Sequence, residues 1–167
     1  MTVTDSGRIL DIAHALRFVT AKKNSTGSAV FTLVSGKTGT RFTYRVTSPK
    51  KTREDAKGKT LFVSVLTGSD NTNDYSYTGT LWQPEDGRPF YFRHTKGSKV
   101  TAAAPSAQAF TFFWKEANKP AGFRAANLLD KVEFWHEGKC GRCNRRLTDP
   151  SSIASGFGPE CITHVGG

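Results

Sequence analysis

The residues best suited to chemistry are three cysteines within the last 28 positions, as Cys140-Gly-Arg-Cys143 and then Gly158-Pro-Glu-Cys161. A C-x2-C pair aims two thiolates at one point through a tight turn, and a third thiolate returns after 17 intervening residues. Zn²⁺ takes four tetrahedral sulfur or nitrogen ligands, and Cys₃His is a common structural set. Two histidines stand in range for the fourth place: His136 makes H-x3-C with Cys140, and His164 makes C-x2-H with Cys161. The reading leans to His136 and keeps both. Three thiolates with a water would leave an open position of the kind catalytic zinc uses. An odd number of clustered cysteines, with no export signal at the N-terminus, points to reduced metal-holding thiols rather than disulfides.

Other constellations fail on spacing. A zinc deaminase carries H-x-E followed by P-C-x-x-C; here His136 and Glu137 are adjacent and Lys139 precedes Cys140. No H-E-x-x-H is present. Asp70, Asn71, Asn73 and Asp74 lack the glycine and terminal glutamate of a calcium loop, so they read as turn residues. Gly36-Lys-Thr-Gly39 resembles the end of a phosphate-binding loop but lacks the upstream glycine and lies between two strand patterns. His14 falls on a helical pattern, and His94 at a strand end beside Arg93 and Lys96. The expectation is a non-enzymatic protein; a zinc hydrolase would need the open fourth position.

The chain has 167 residues, 24 Lys and Arg against 14 Asp and Glu, and a net charge of +10. Ten of the basic residues fall between positions 22 and 60, among them Lys50, Lys51 and Arg53. A basic stripe of this kind attracts phosphate backbones without choosing sequence. Arg142, Arg145 and Arg146 add charge beside the cysteines, where a rigid knuckle would hold guanidinium groups ready for phosphate. No apolar run is long enough for a membrane span, and the N-terminus has neither the basic nor the apolar region of a signal peptide.

The elements that must position these groups follow from periodicity. Residues 7–21 place Ile9, Ala13 and Leu16 on one face of a helix, with Ser6 as N-cap. Strand patterns follow at 29–35 and 41–46, joined by a turn at 36–39, and then at 61–66, 75–82 and 90–94. Phe42, Tyr44 and Val46 alternate with Arg41, Thr43 and Arg45, the pattern of a half-buried strand. A second helix runs from Ala107 to Asn118 with Phe110, Phe113, Trp114 and Ala117 on one face, and a short strand at 132–135 leads to the cysteines. The expected fold is α+β: an antiparallel sheet of five to six strands, a meander or a partly rolled barrel, with two helices and a C-terminal zinc module. The expected division is a body at 1–131 and a module at 132–167. Of Phe42, Tyr44, Tyr75, Tyr77, Tyr91 and Phe92, most should be core and one or two free to stack on bases.

Within the tail, Leu147 and Ile153 can fill a miniature core, Gly156 and Gly158 suit a chain that turns back to a metal, and Pro159 fits a first helical turn. Cys140, Cys143, Arg145, Leu147, Thr148, Pro150, Ser152, Ile153, Gly156, Gly158, Pro159 and Cys161 together resemble an uncharacterised zinc-binding domain family found in small bacteriophage proteins and in bacterial proteins that handle DNA. The resemblance covers about a sixth of the chain. It implies zinc, a phage origin and residence in the host cytoplasm, and it implies no reaction.

Two functional expectations follow. The first is binding of nucleic acid or a nucleoprotein complex through Lys50, Lys51, Arg53, Arg142, Arg145 and Arg146. The second is a phage inhibitor of a host defence protein, acting by protein–protein binding as anti-CRISPR proteins do.

Overall fold

A computed structural model describes residues 7–21, 28–49, 58–70 and 73–165. Along the chain come β1 (Arg8–Ile9), α1 (Ile12–Thr20), β2 (Ser28–Ser35), β3 (Arg41–Thr47), β4 (Gly58–Leu66), β5 (Tyr75–Pro84), β6 (Tyr91–His94), α2 (Pro105–Ala117), α3 (Leu128–Lys131), β7 (Val132–His136) and α4 (Pro150–Ser155). The strands form one open antiparallel sheet of seven, in the order β1-β7-β2-β3-β4-β5-β6.

The α+β class and the β2–β6 meander match expectation, and an open sheet replaces the alternative of a barrel. Two differences matter. Among the described residues the strands number seven, because Arg8 and Ile9, expected at the start of the first helix, pair with Trp135 and Phe134. A strand of two residues shows no periodicity of its own. The helix starts later, capped by the Asp11 carboxylate, which accepts from the His14 backbone N–H; the expected cap, Ser6, lies outside the described residues. Among the described residues the α-helices number four, because α3 and α4, of four and six residues, are too short to print an amphipathic pattern. Strand β7, expected to lead the metal module, runs inside the sheet between β1 and β2. The boundary at 131/132 therefore coincides with entry into a sheet strand.

The core lies on one side of the sheet. Phe31 and Leu33 of β2, Tyr44 and Val46 of β3, Leu61 and Val63 of β4, Leu81 of β5 and Phe134 of β7 are buried there. Phe110 of α2 packs on Phe31, Tyr44, Phe92 and Trp114. The Tyr44 hydroxyl donates to the Ser106 carbonyl at 2.6 Å, which satisfies the one polar atom this ring takes into the core. A bulge between β4 and β5 pairs Val63 with Gly79 and Ser64 with Tyr77, leaving Thr78 as the extra residue. Gly79 is required there, since a Cβ would stand 2.5 Å from the Arg93 carbonyl oxygen.

Candidate metal centre and the open sheet face

The cysteine module begins where β7 ends. Lys139 and Arg146 form an isolated antiparallel bridge, and the Cys140 N–H donates to the Arg145 carbonyl at 2.8 Å. The tip closes through Asn144, whose N–H reaches the Cys140 carbonyl at 2.9 Å and whose φ is 66°. Asparagine tolerates that left-handed conformation better than most residues. The chain then turns through α4, with Pro150 in its first turn and Gly156 at its C-cap with φ 78°, and returns to Cys161.

This path gathers the three sulfurs. The ligand atoms of Cys140, Cys143 and Cys161 lie within 4.8 Å of one another, and the three are free thiols. Tetrahedral ligands roughly 2.3 Å from a zinc ion would be about 3.8 Å apart, so the cluster is sized to hold a metal ion. Cys140 Sγ accepts from the backbone N–H groups of Arg142 and Gly158, each at 3.4 Å. Burial raises the Cys140 thiol, but N–H bonds from Gly158, Cys143 and Arg142 outweigh it and leave the group below its ordinary value. Burial pushes the Cys161 thiol up to about 11, although the Arg142 side chain opposes it. Three sulfurs this close cannot all carry charge cheaply without a cation among them.

The two histidines stand apart from the cluster. Neither ring joins the sulfurs among the described residues. The His136 ring is committed elsewhere: Nδ1 accepts from the Gly138 N–H at 2.9 Å, and Nε2 donates to the Ile153 carbonyl at 2.6 Å. Those partners fix the neutral tautomer and occupy both nitrogens. Burial holds its pKa below the ordinary value. The preference for His136 as the fourth ligand gives way on this geometry to a structural role, pinning β7 to α4. His164 caps the 3₁₀ turn Cys161–Thr163, exposed to solvent. His14 Nε2 donates to the Ser155 carbonyl, and the ring stacks on Phe157.

The basic residues divide. Arg142 is half-buried, with Nη1 3.5 Å from Cys161 Sγ. Arg145 and Arg146 are exposed. They line a cavity of about 280 Å³ with Asp149, Cys143, Glu160 and Cys161. Lys50, Lys51 and Arg53 lie outside the described residues.

A second feature emerges only from the pairing register. Residues opposed across antiparallel strands share a face. Opposite the core, one row runs Arg8, Trp135, Thr32, Thr43. A second runs Val30, Arg45, Ser64, Tyr77. A third runs Thr47, Phe62, Thr80, Arg93, and a fourth Thr60, Trp82, Tyr91. No helix among the described residues packs over this face. Phe62 and Tyr91 stay 36% and 42% exposed, and Arg93 is exposed beside them. Arg45 lies over the Tyr75 ring, 4.2 Å from its centroid, and Arg8 over Trp135 at 5.9 Å. Of the aromatic pool expected from sequence, Tyr44 is core, Phe92 packs on Phe110, and Tyr75, Tyr77 and Tyr91 lie on the open face. Sequence reasoning missed Phe62, Trp82 and Trp135 there; the signal was their alternation with core residues Leu61, Leu81 and Phe134.

A family model described as a family of unknown function, DUF6011, matches residues 133–166, which span β7 and the cysteine module. No curated protein and no solved structure matches the chain.

Proposed function

We propose that this chain is a non-enzymatic zinc-holding protein that binds nucleic acid or a nucleoprotein complex. The observation that carries the reading is the open sheet face, where Phe62, Trp82, Tyr91 and Tyr77 interleave with Arg93 and Arg45 on strands whose other side is core. Aromatic rings stack on bases of any sequence while arginines track the phosphate backbone. A rigid sheet holds both at little entropic cost. Arg145 and Arg146 on the module extend the same positive charge, and Lys50, Lys51 and Arg53 belong to the reading by charge alone.

Zinc is the metal assigned, because soft thiolate donors in a compact cluster select it over hard cations. Cys140, Cys143 and Cys161 would hold it, with His164 or a water as the fourth ligand. Its contribution is structural: it would neutralise the thiolates and fix a tail too short to bury a core alone. Phage origin and residence in the host cytoplasm go with this proposal and rest on the tail motif.

The test uses protein purified with nuclease and high-salt washing. Zinc is quantified, and labelled single- and double-stranded DNA and RNA are titrated at two salt concentrations. About one zinc per chain is expected, with affinity falling steeply as salt rises and weakened by Arg145→Glu with Arg146→Glu. Zinc without binding near physiological salt would overturn the nucleic-acid reading. It would move the search to a host protein target, such as a defence complex, by capture from nuclease-treated lysate.

A further inference from the structure

The cysteine knuckle and the open sheet face meet in a cavity of about 360 Å³, within the size range of small-molecule sites. Val30 and Leu66 form its apolar floor, and Arg45, Tyr75, Glu137 and Asn144 supply its chemistry, with Lys139 at the margin. We propose that this cavity accepts one unpaired nucleobase and prefers guanine.

One acceptor faces the cavity, the Glu137 carboxylate, and Asn144 lines its wall. The Glu137 carboxylate is oriented from below: Thr32 Oγ1 donates to its Oε1 and in turn accepts from Thr43 Oγ1 at 2.7 Å. A carboxylate has about four lone-pair sites, so the Thr32 bond leaves capacity on both oxygens. Asn144 Oδ1 is buried with no hydrogen-bond partner among the described residues. Its position is set by the left-handed turn that also sets the cysteine spacing. A buried acceptor without a donor is uncommon in native structures, and this one, sealed from the surface, is not counted among the groups a ligand would meet.

The remaining walls fit the rest of a nucleotide. The Arg45–Tyr75 pair gives a flat, cationic surface of the kind on which unstacked bases pack, and Arg45 with Lys139 supplies positive charge for the adjoining phosphate. A carboxylate selects a base by its donors. Guanine alone offers neighbouring N1–H and N2–H₂ groups, matched to the two oxygens of a carboxylate. Adenine and cytosine offer one amino group each. Uracil and thymine place carbonyl oxygens on both sides of a single N3–H, and those oxygens would face the carboxylate.

The strand that would deliver the base rests on the nucleic-acid reading above; the cavity chemistry does not, and the experiment separates them. Zinc-loaded protein and its Glu137→Gln variant are titrated with 5′-GMP, 5′-IMP and 5′-UMP by NMR. They are then titrated with a uridine oligonucleotide that carries either no guanosine or one, at two salt concentrations. The expected order is GMP over IMP over UMP, with about tenfold or more between the extremes. Glu137→Gln should remove the separation between GMP and IMP and leave UMP unchanged. Equal or absent binding of GMP and UMP, or a guanine preference that survives Glu137→Gln, overturns the proposal. Salt-sensitive oligonucleotide binding that ignores the guanosine overturns the cavity and leaves the open-face reading standing. GMP selectivity with no oligonucleotide binding supports the cavity as a nucleotide site and overturns the strand.

Discussion

Phe18 of α1 and Phe157 of the cysteine module pack with ring centroids 5.8 Å apart, both buried. Phe18 also stacks on His136 at 5.8 Å and meets Phe134 edge-on at 5.7 Å. One ring thus touches the helix layer, the sheet and the metal-site module. The module is not held by its sulfurs alone; it shares a core with the sheet.

Gly141 tests that contact. A Cβ at this position would lie 2.5 Å from Phe18 Cδ2, closer than carbon atoms approach without displacement. Because Phe18 is fully buried, the ring has little room to yield. Gly141→Ala should cost about 1–3 kcal/mol, the usual range for overpacking. Urea denaturation reads the loss, and a variant as stable as wild type would mean that the knuckle does not rest on Phe18.

The ligand set makes a second prediction. Cys140→Ser and Cys161→Ser should each drop bound zinc from about one per chain toward none. His136→Gln should keep the zinc while losing roughly 1–3 kcal/mol of stability through broken buried hydrogen bonds. Metal analysis with thermal melting separates the two behaviours. Loss of zinc from a folded His136→Gln protein would return that residue to the coordination sphere.

His136 also gives the chain a pH signature. Burial holds the folded imidazole below 6.5, although the bond to the Ile153 carbonyl opposes the shift. The unfolded chain therefore takes up a proton first as pH falls. Stability is full above the unfolded value and is lost as pH drops from about 6.5 towards the folded pKa. Denaturation of wild type and His136→Gln between about pH 8 and about pH 5.5 should show a steeper decline in wild type. Thiol protonation acts on both proteins and cancels in the comparison. Parallel curves would remove His136 as the source.

The open face predicts a separation of binding from folding. Phe62→Ala and Tyr91→Ala remove partly exposed rings and should weaken single-strand binding by about 1–3 kcal/mol for each base that stacks on them. Their melting temperatures should move little. Arg93→Gln should reduce the salt slope of binding by about one. Fluorescence anisotropy at several salt concentrations measures both, and unchanged affinity in all three variants would remove this face from the interface.

Much of the fold was legible because alternation and length carry the signal. Each strand of the β2–β6 meander was located within a few residues, and Phe110, Phe113, Trp114 and Ala117 of α2 are all buried as their spacing implied. The strand at Arg8–Ile9 was not legible, since its partner lies over a hundred residues away and two residues carry no period. At the site, the C-x2-C spacing and the glycine-rich return sufficed to group the sulfurs. The fate of His136 did not follow from sequence, because H-x3-C fits a ligand and a core histidine equally well. Its bond to Ile153 is a tertiary contact. The open-face aromatics were obscured for a similar reason: alternation says that two faces differ, and only the register says which rings share one.

The position of β7 bears on how the molecule is made. Thr32 and Glu137, joined by a hydrogen bond, are 105 residues apart, and Arg8 and Asp130, which form an ion pair, are 122 apart. During synthesis the β2–β6 meander can pair as it emerges, since its contacts are local. The slot beside β2 stays empty, and β1 stays without a neighbour, until the segment immediately before the cysteines has been translated. That slot exposes a hydrogen-bonding edge for as long as it waits, and long-range pairings of this kind form slowly. The last strand to arrive leads directly into the cysteines, so closure of the sheet comes just ahead of assembly of the thiol cluster in the life of the chain.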